Sequence, residues 1–273
     1  MRKQGDSLCV VEDGATAFYV DVLRRLSHAS IPFLVGGAFA YMRYAGIQRE
    51  TKDLDIFMRR DDIATAFRIL EVAGYETALP FPHWLGKASR GERFVDLIFG
   101  SGNGLSRVDD LWFDYAPEDT MFGVLIRLCP PEEMIWSKAF VQERERFDGA
   151  DLMHLLRAQA PTLDWQRLLR RFGEHWRVLL SHIILFDFVY PHLRGSVPGW
   201  VIDELTSRFT RERAASVERI CYGTLLSRAQ YRFDIEQLRY VDVRLIAQET
   251  GLTPKEIESW TAAVEDDDRE RES

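Results

Sequence analysis

Cysteine and proline are scarce in this sequence, and their scarcity excludes several classes of protein. The 273 residues include three cysteines and ten prolines. Cys9, Cys129 and Cys221 are too few and too widely spaced for a disulfide framework or a CxxC zinc site, so each is predicted to be a small buried side chain. The few prolines, together with seven Trp and seventeen Phe, exclude a disordered chain and indicate one large or two modest globular domains.

An excess of positive charge and a long hydrophobic run are also absent. The formal net charge is -8, which disfavours a protein that coats nucleic acid but leaves room for a local basic groove. The longest apolar stretch, 178–190, is interrupted by Ser181, His182 and Asp187 and is too short to span a bilayer. Residues 1–20 lack the apolar segment of a signal peptide. We therefore expect a cytoplasmic protein with no membrane partner.

The hydrophobic pattern predicts several individual elements. Apolar residues at helical spacing predict helices over residues 15–28, 176–189 and 254–264. Residues 53–58 alternate between charged and apolar side chains, which is typical of a strand. Before residue 130 the chain alternates helix-like and strand-like segments, and after it the pattern is helical throughout.

A double proline marks the change between these two patterns. Pro130 and Pro131 are followed by two glutamates, which is typical of a helix start, and this helix is predicted to run towards Phe147. At the other end, the last ten residues are almost all charged and are expected to be disordered. The predicted organisation is an α+β part over 1–129, a helical domain over 130–263 and an acidic disordered tail over 264–273.

Two aspartates are predicted to lie side by side on one strand. Successive strand side chains point to opposite faces, so Asp53 and Asp55 share a face while Leu54 and Ile56 point into the core. Carboxylates this close repel each other unless a cation lies between them, which favours a divalent metal ion. Taken alone, the pair also fits a solvated strand face.

A third aspartate strengthens the metal hypothesis. Asp96 interrupts the apolar centre of a predicted strand over 92–99. Burying an isolated carboxylate there would cost roughly several kcal/mol unless it is paired or coordinated. One interpretation is a salt bridge to Arg93 or Arg49. The other is that Asp96 lies beside the aspartate pair, where three carboxylates can hold two Mg²⁺ ions.

Two glycines complete the pattern. Gly36 and Gly37 end the apolar strand run 33–35 and open into a predicted helix. Glycine leaves backbone N–H groups accessible, and the start of a helix is electropositive, so this turn suits the phosphates of a nucleotide. A purely structural tight turn is the alternative.

These residues together resemble the nucleotidyltransferase core of the DNA polymerase β superfamily, particularly its minimal and AbiEii-like bacterial branches: Gly36-Gly37, Asp53-Leu54-Asp55 and Asp96. The resemblance is strong over 30–100 and extends over 130–156. It implies an α+β fold in which a small mixed β-sheet core is flanked by helices and followed by an all-helical C-terminal domain. It also implies transfer of a nucleoside monophosphate from an NTP to an acceptor, with release of pyrophosphate.

The resemblance also implies a role for each residue of the pattern. Asp53 and Asp55 would bind both of two Mg²⁺ or Mn²⁺ ions, and Asp96 would bind the ion that activates the acceptor. Many members carry a serine after the first glycine, whereas this chain has Gly37. Backbone N–H groups of Gly36 and Gly37 are therefore expected to contact the triphosphate.

Arg49 and Lys138 are the candidates for neutralising the triphosphate charge. In the AbiEii-like branch a helical lysine and a following acidic pair complete the site, and Lys138, Asp148 and Asp151 occupy a similar run here. Alternatives remain for each: an ion pair between Arg49 and Glu50 or the aspartate pair, a solvated position for Lys138, and helix capping or ion pairing for the two later aspartates.

Alternatives also remain for the whole protein. The first is a catalytically silent nucleotide-binding or protein-interaction domain of the same fold, although the presence of all three carboxylates favours activity. The second is a toxin-type enzyme that modifies tRNA or protein, which differs in its acceptor. The sequence leaves the acceptor open among RNA, protein and a small molecule.

Overall fold

The computed structural model describes residues 9–11, 15–212 and 218–246. The helix predicted over 254–264 and the predicted acidic tail lie outside these ranges. Within them, the residues up to Met134 form one compact unit and those from Ile135 form a second.

The first unit contains a five-stranded mixed sheet. The strands of this unit are β1 (Cys9–Val11), β2 (Leu34–Val35), β3 (Arg49–Thr51), β4 (Asp55–Phe57), β5 (Glu76–Phe81), β6 (Leu85–Arg90), β7 (Arg93–Ile98), β8 (Glu118–Met121) and β9 (Val124–Arg127). Strands β1 and β3 pair with each other, as do β8 and β9, and the other five form the mixed sheet. The sheet has the order β2-β4-β7-β6-β5, in which β4 and β7 are parallel and the other neighbours are antiparallel. The mixed sheet implied by the resemblance is therefore confirmed.

Helices accompany this sheet in the first unit. They are α1 (Ala15–His28), α2 (Gly37–Ala45), α3 (Arg60–Val72), α4 (Asp110–Asp114) and the first part of α5 (Pro131–Ala139). Helix α1 has the predicted bounds, and its residues Val22, Leu23 and Leu26 are fully buried. Leu54 and Ile56 are fully buried too. The alternation predicted around the aspartate pair is thus present in the structure.

The second unit is mainly helical, as expected. Its described elements are α6 (Gly149–Gln159), α7 (Trp165–Phe172), α8 (Trp176–Val189), α9 (Gly199–Arg211), β10 (Ile220–Cys221), α10 (Arg232–Glu236), β11 (Val241–Asp242) and α11 (Val243–Ile246). Strands β10 and β11 form a short parallel pair that the sequence pattern did not predict. Within the described ranges, we find no helix with the length and apolar character needed to cross a membrane.

One predicted helix is shorter than expected. Helix α5 ends at Ala139, so the prediction that it continues towards Phe147 is wrong. The carbonyl of Ala139 accepts hydrogen bonds from the Gln142 side chain at 3.2 Å and from the His182 ring at 2.9 Å. The backbone N–H of Gln142 donates to the carbonyl of Leu226 at 3.1 Å. Contacts distant in sequence thus take the place of the next helical turn.

A polar cluster joins α1 to the other elements of the first unit. The Asp21 carboxylate accepts hydrogen bonds from the Tyr75 hydroxyl at 2.7 Å and from Arg25 at 3.0 Å, and Arg90 lies 3.6 Å away. Partial burial opposes ionisation of Asp21, but the hydrogen bonds from Arg25 and Tyr75 outweigh it and lower the pKa of this carboxyl. Burial and the neighbouring Asp21 raise the pKa of Tyr75 to about 12.

We predict that Asp21→Asn lowers the free energy of unfolding by up to about 1 kcal/mol at pH 7, because the cluster is partly exposed. The folded-state pKa of Asp21 lies below its unfolded value of 3.8, so the contribution is present above about pH 4 and disappears as the pH falls further. Urea unfolding of both proteins from pH 7 down to pH 3 measures this difference. A difference that stays constant over that range would contradict the assignment.

Candidate active site

The three predicted aspartates meet at the parallel pair of strands β4 and β7. Asp55 lies directly opposite Asp96 in the register of these strands, and the backbone N–H of Asp96 donates to the carbonyl of Leu54 at 3.0 Å. Asp53 lies in the bend just before β4. One carboxylate oxygen from each aspartate lies within 4.8 Å of the others, and all three residues are half-buried. The fold therefore concentrates three negative charges in one place.

The surroundings of Asp96 shift the pKa of its carboxyl upward. Burial raises the pKa of its carboxyl, the nearby Lys87 ammonium opposes that rise, and the charge of Asp53 adds to it. The Lys87 Nζ lies 3.6 Å from Oδ1 of Asp96. Burial at this position therefore favours the protonated form of Asp96, and a nearby positive charge favours the ionised form.

The side chain of Asp53 is held by its own chain. The buried Thr51 hydroxyl donates to Oδ1 of Asp53 at 2.9 Å and lies 3.0 Å from the backbone carbonyl of the same residue. Such local hydrogen bonds stabilise a bend, because the side chain replaces a backbone partner. Thr51 therefore fixes where the Asp53 carboxylate points.

The glycine turn lies directly against Asp55. The backbone N–H of Gly36 donates to the carbonyl of Asp55 at 3.0 Å, and a Cβ on Gly37 would overlap the Asp55 carboxylate. Gly37 has a φ of +50°, in the left-handed region, and it begins α2. The N–H of Gly36 is therefore already paired, so the expectation that it contacts the triphosphate is not supported. The N–H groups of the first turn of α2, from Gly37 onwards, have no partner within the helix and lie beside the aspartates.

The structure places the two predicted basic residues in separate surroundings. Arg49 lies on β3, with its guanidinium 5.1 Å from the centre of the Tyr41 ring. Lys138 belongs to the second unit, where its Nζ lies 2.8 Å from Asp148 and 2.9 Å from Asp151. The first unit therefore brings together Asp53, Asp55, Asp96, Gly36 and Gly37, whereas Lys138 forms part of an ion-paired cluster in the second.

Two residues of the site, Lys87 and Thr51, are not among the residues singled out from the sequence. A signal for Lys87 was present. Residues 91 and 92 form a two-residue turn between β6 and β7, and Gly91 has a φ of +64°. A two-residue hairpin turn fixes the pairing of its strands, which here aligns Lys87 with Asp96. The role of Thr51 depends on the bend before β4 and has no comparable sequence signal.

The carboxylate cluster fits a divalent cation of the Mg²⁺ or Mn²⁺ type. Such ions prefer carboxylate oxygens, and three can converge here. Oδ1 of Asp96 is buried and accepts no hydrogen bond from the part of the chain that the structure describes. A buried carboxylate oxygen without a hydrogen bond is costly unless a cation faces it, and the Lys87 ammonium, 3.6 Å away, offsets part of that cost. The donor set and this oxygen are therefore consistent with metal binding.

The chain thus combines a mixed sheet, clustered carboxylates and a glycine turn at a helix start, which is the arrangement that the resemblance to nucleotidyltransferases implies. A family model described as "Uncharacterised nucleotidyltransferase" matches residues 14–181, more than half of the chain. The chain belongs to this family. It is therefore a transferase of phosphorus-containing groups that acts by nucleotidyl transfer.

Similar solved structures include three at low sequence identity. The antibiotic-resistance factor ANT(2'')-Ia is 16% identical, with a TM-score of 0.42, over 62% of this chain and 96% of its own. An antigenic nucleotidyltransferase-like protein from Paracoccidioides brasiliensis is 15% identical, with a TM-score of 0.47, over 68% and 92%. The lincosamide antibiotic adenylyltransferase LnuA, with lincomycin bound, is 16% identical, with a TM-score of 0.37, over 52% and 95%. A comparison with curated proteins finds no match.

Proposed function

We propose that this protein is a metal-dependent nucleotidyltransferase that moves a nucleoside monophosphate from an NTP to an acceptor hydroxyl or phosphate and releases pyrophosphate. The observation that carries the proposal is the convergence of three carboxylates, within 4.8 Å of one another, beside the glycine turn. We also propose that the reaction takes place in the cytoplasm.

Asp53, Asp55 and Asp96 are proposed to hold two Mg²⁺ or Mn²⁺ ions. Bound there, the ions would neutralise phosphate charge and activate the acceptor oxygen. The chain itself contributes the position of the ligands: Thr51 orients Asp53, and the parallel register of β4 and β7 sets Asp55 against Asp96. Asp96 is the proposed acceptor-side ligand and is also proposed to take the acceptor proton.

The turn formed by Gly36 and Gly37 is proposed to bind the triphosphate. Because neither residue carries a Cβ, Gly36 packs against Phe57 and Gly37 packs against Asp55, which places the first N–H groups of α2 beside the aspartates. Arg49 and Lys138 are proposed to add positive charge to the same triphosphate. The Lys138 ammonium has three donors, of which two are directed at Asp148 and Asp151.

The proposal predicts that an NTP together with Mg²⁺ or Mn²⁺ raises the melting temperature. A ligand that binds only the folded state stabilises it, and saturation at a hundred times the Kd corresponds to a shift of roughly 5 to 10 °C. Thermal unfolding with each of the four NTPs measures it. Asp53→Asn should reduce the shift, whereas Asp114→Asn, which removes an exposed carboxylate at the end of α4, should leave it unchanged.

The absence of a shift with every NTP and both metals would contradict the proposal. Transfer is tested separately, by incubating the protein with NTPs labelled at the α-phosphate and with cell extract. Label that enters RNA, protein or a small molecule identifies the acceptor class. A thermal shift without any transfer in the extract would favour the silent nucleotide-binding domain.

A further inference from the structure

Lys87 is a basic residue placed at the carboxylate cluster by the sheet itself. It lies on β6 directly opposite Asp96 on β7, and its Nζ is 3.6 Å from Oδ1 of that carboxylate. The same ammonium lies 3.8 Å from the centre of the Phe94 ring, one face of which supports it. Strand pairing and an aromatic contact therefore hold a positive charge against one of the three proposed metal ligands.

The contact is close enough for electrostatic attraction but longer than a hydrogen bond. At 3.6 Å, Lys87 offsets part of the negative charge at Asp96, whose Oδ1 is buried without a hydrogen bond from the described residues. The Lys87 side chain is 38% exposed, whereas that of Asp96 is 16% exposed. The ammonium can therefore move towards solvent while the carboxylate remains in place.

We propose that Lys87 is an internal counterion of the carboxylate cluster, which balances Asp96 in the metal-free protein and competes with the divalent ion for it. This inference rests on the proposed function, because it assumes that Asp96 is a metal ligand. A positive charge beside a metal site weakens the binding of the bare ion. The metal would then bind more readily together with the negatively charged triphosphate, which restores the charge balance.

The inference predicts that removing the charge of Lys87 strengthens metal binding, whereas removing a metal ligand would weaken it. Lys87→Met keeps most of the aliphatic stem but removes the charge, so we expect the Kd for Mn²⁺ alone to fall roughly tenfold. Lys87→Arg keeps the charge and should bind Mn²⁺ much as the wild type does. Arg68→Met, which removes an exposed positive charge from α3, is the matched control and should also bind like the wild type.

The experiment is a titration with Mn²⁺ in the absence of nucleotide, in which electron paramagnetic resonance reports the free ion. The melting temperature of each metal-free protein is measured in parallel. We expect Lys87→Met to melt lower without metal and to regain stability when Mn²⁺ is added. If Lys87→Met does not fold, Lys87→Gln removes the same charge with a polar side chain and serves in its place.

The outcomes separate this inference from the function on which it rests. If the wild type binds Mn²⁺ and the charge-removing variants bind it equally or more weakly, the counterion role is overturned while the metal site stands. Weaker NTP binding by those variants, without tighter Mn²⁺ binding, would instead assign Lys87 to the substrate and also overturn it. If neither the wild type nor the variants bind Mn²⁺, the proposed metal site and the counterion role both fail.

Discussion

Asp55→Asn is expected to reduce nucleotidyl transfer at least about a hundredfold. Asp55 lies at the centre of the site, opposite Asp96 across the strand pair and in contact with the glycine turn. An amide is a weaker ligand for a hard divalent ion than a carboxylate, so the variant loses charge at the proposed metal site without losing volume. The measurement is release of labelled pyrophosphate from an NTP labelled at the γ-phosphate, with cell extract supplying the acceptor.

The Asp55 prediction has two matched comparisons. Asp114→Asn removes an exposed carboxylate and should retain full activity. Asp55→Glu keeps the charge but adds a methylene where the carboxylate already lies against Gly37, so it should also be nearly inactive. Wild-type activity in a folded Asp55→Asn protein would remove Asp55 from the proposed machinery.

The individual elements that could be predicted from sequence are those with a strong local pattern. Helices α1 and α8 have the predicted bounds, because their apolar residues recur at helical spacing over fourteen residues each. The strand containing Ile56 follows from simple alternation. Alternation also predicts that Leu54 and Ile56 are buried, whereas Asp53 lies in the bend before β4 and its position beside Asp55 depends on that bend.

Features that depend on contacts distant in sequence could not be predicted in this way. The end of α5 at Ala139 is set by Gln142 and by His182, which lies more than forty residues further along the chain. The short helix α4 has too few residues for a helical period to be recognised. In both places, tertiary packing rather than local propensity determines where the helix lies.

The pairing of strands is the intermediate case. That β4 and β7 are neighbours in the sheet, which brings Asp55 and Asp96 together, follows from the topology and is implied by the family resemblance. Lys87 opposite Asp96 follows from a local turn at Gly91 and could have been predicted from sequence alone. The residue types are therefore enough to identify the three aspartates. To identify Lys87 as their counterion, the pairing of β6 with β7 must also be known.

Gly37→Ala is expected to damage both the stability and the activity of the protein. The new Cβ would overlap the Asp55 carboxylate, and the backbone at φ +50° disfavours any residue with a side chain. Together these effects should lower the free energy of unfolding by about 3 kcal/mol and displace Asp55. We therefore expect both a lower melting temperature and a loss of transfer comparable with that of Asp55→Asn.

The opposite end of the same helix offers a control for the backbone effect. Gly46 follows α2 with a φ of +68°, and a Cβ there would meet nothing within 4 Å. Gly46→Ala should therefore cost only about 1 kcal/mol, from the backbone conformation, and leave transfer intact. Urea unfolding and pyrophosphate release measured on both variants separate the two contributions. Both variants place a side chain at a positive φ, so the difference between their losses of stability and activity reports the contact of Gly37 with Asp55. Equal losses in the two variants would show that this contact does not matter.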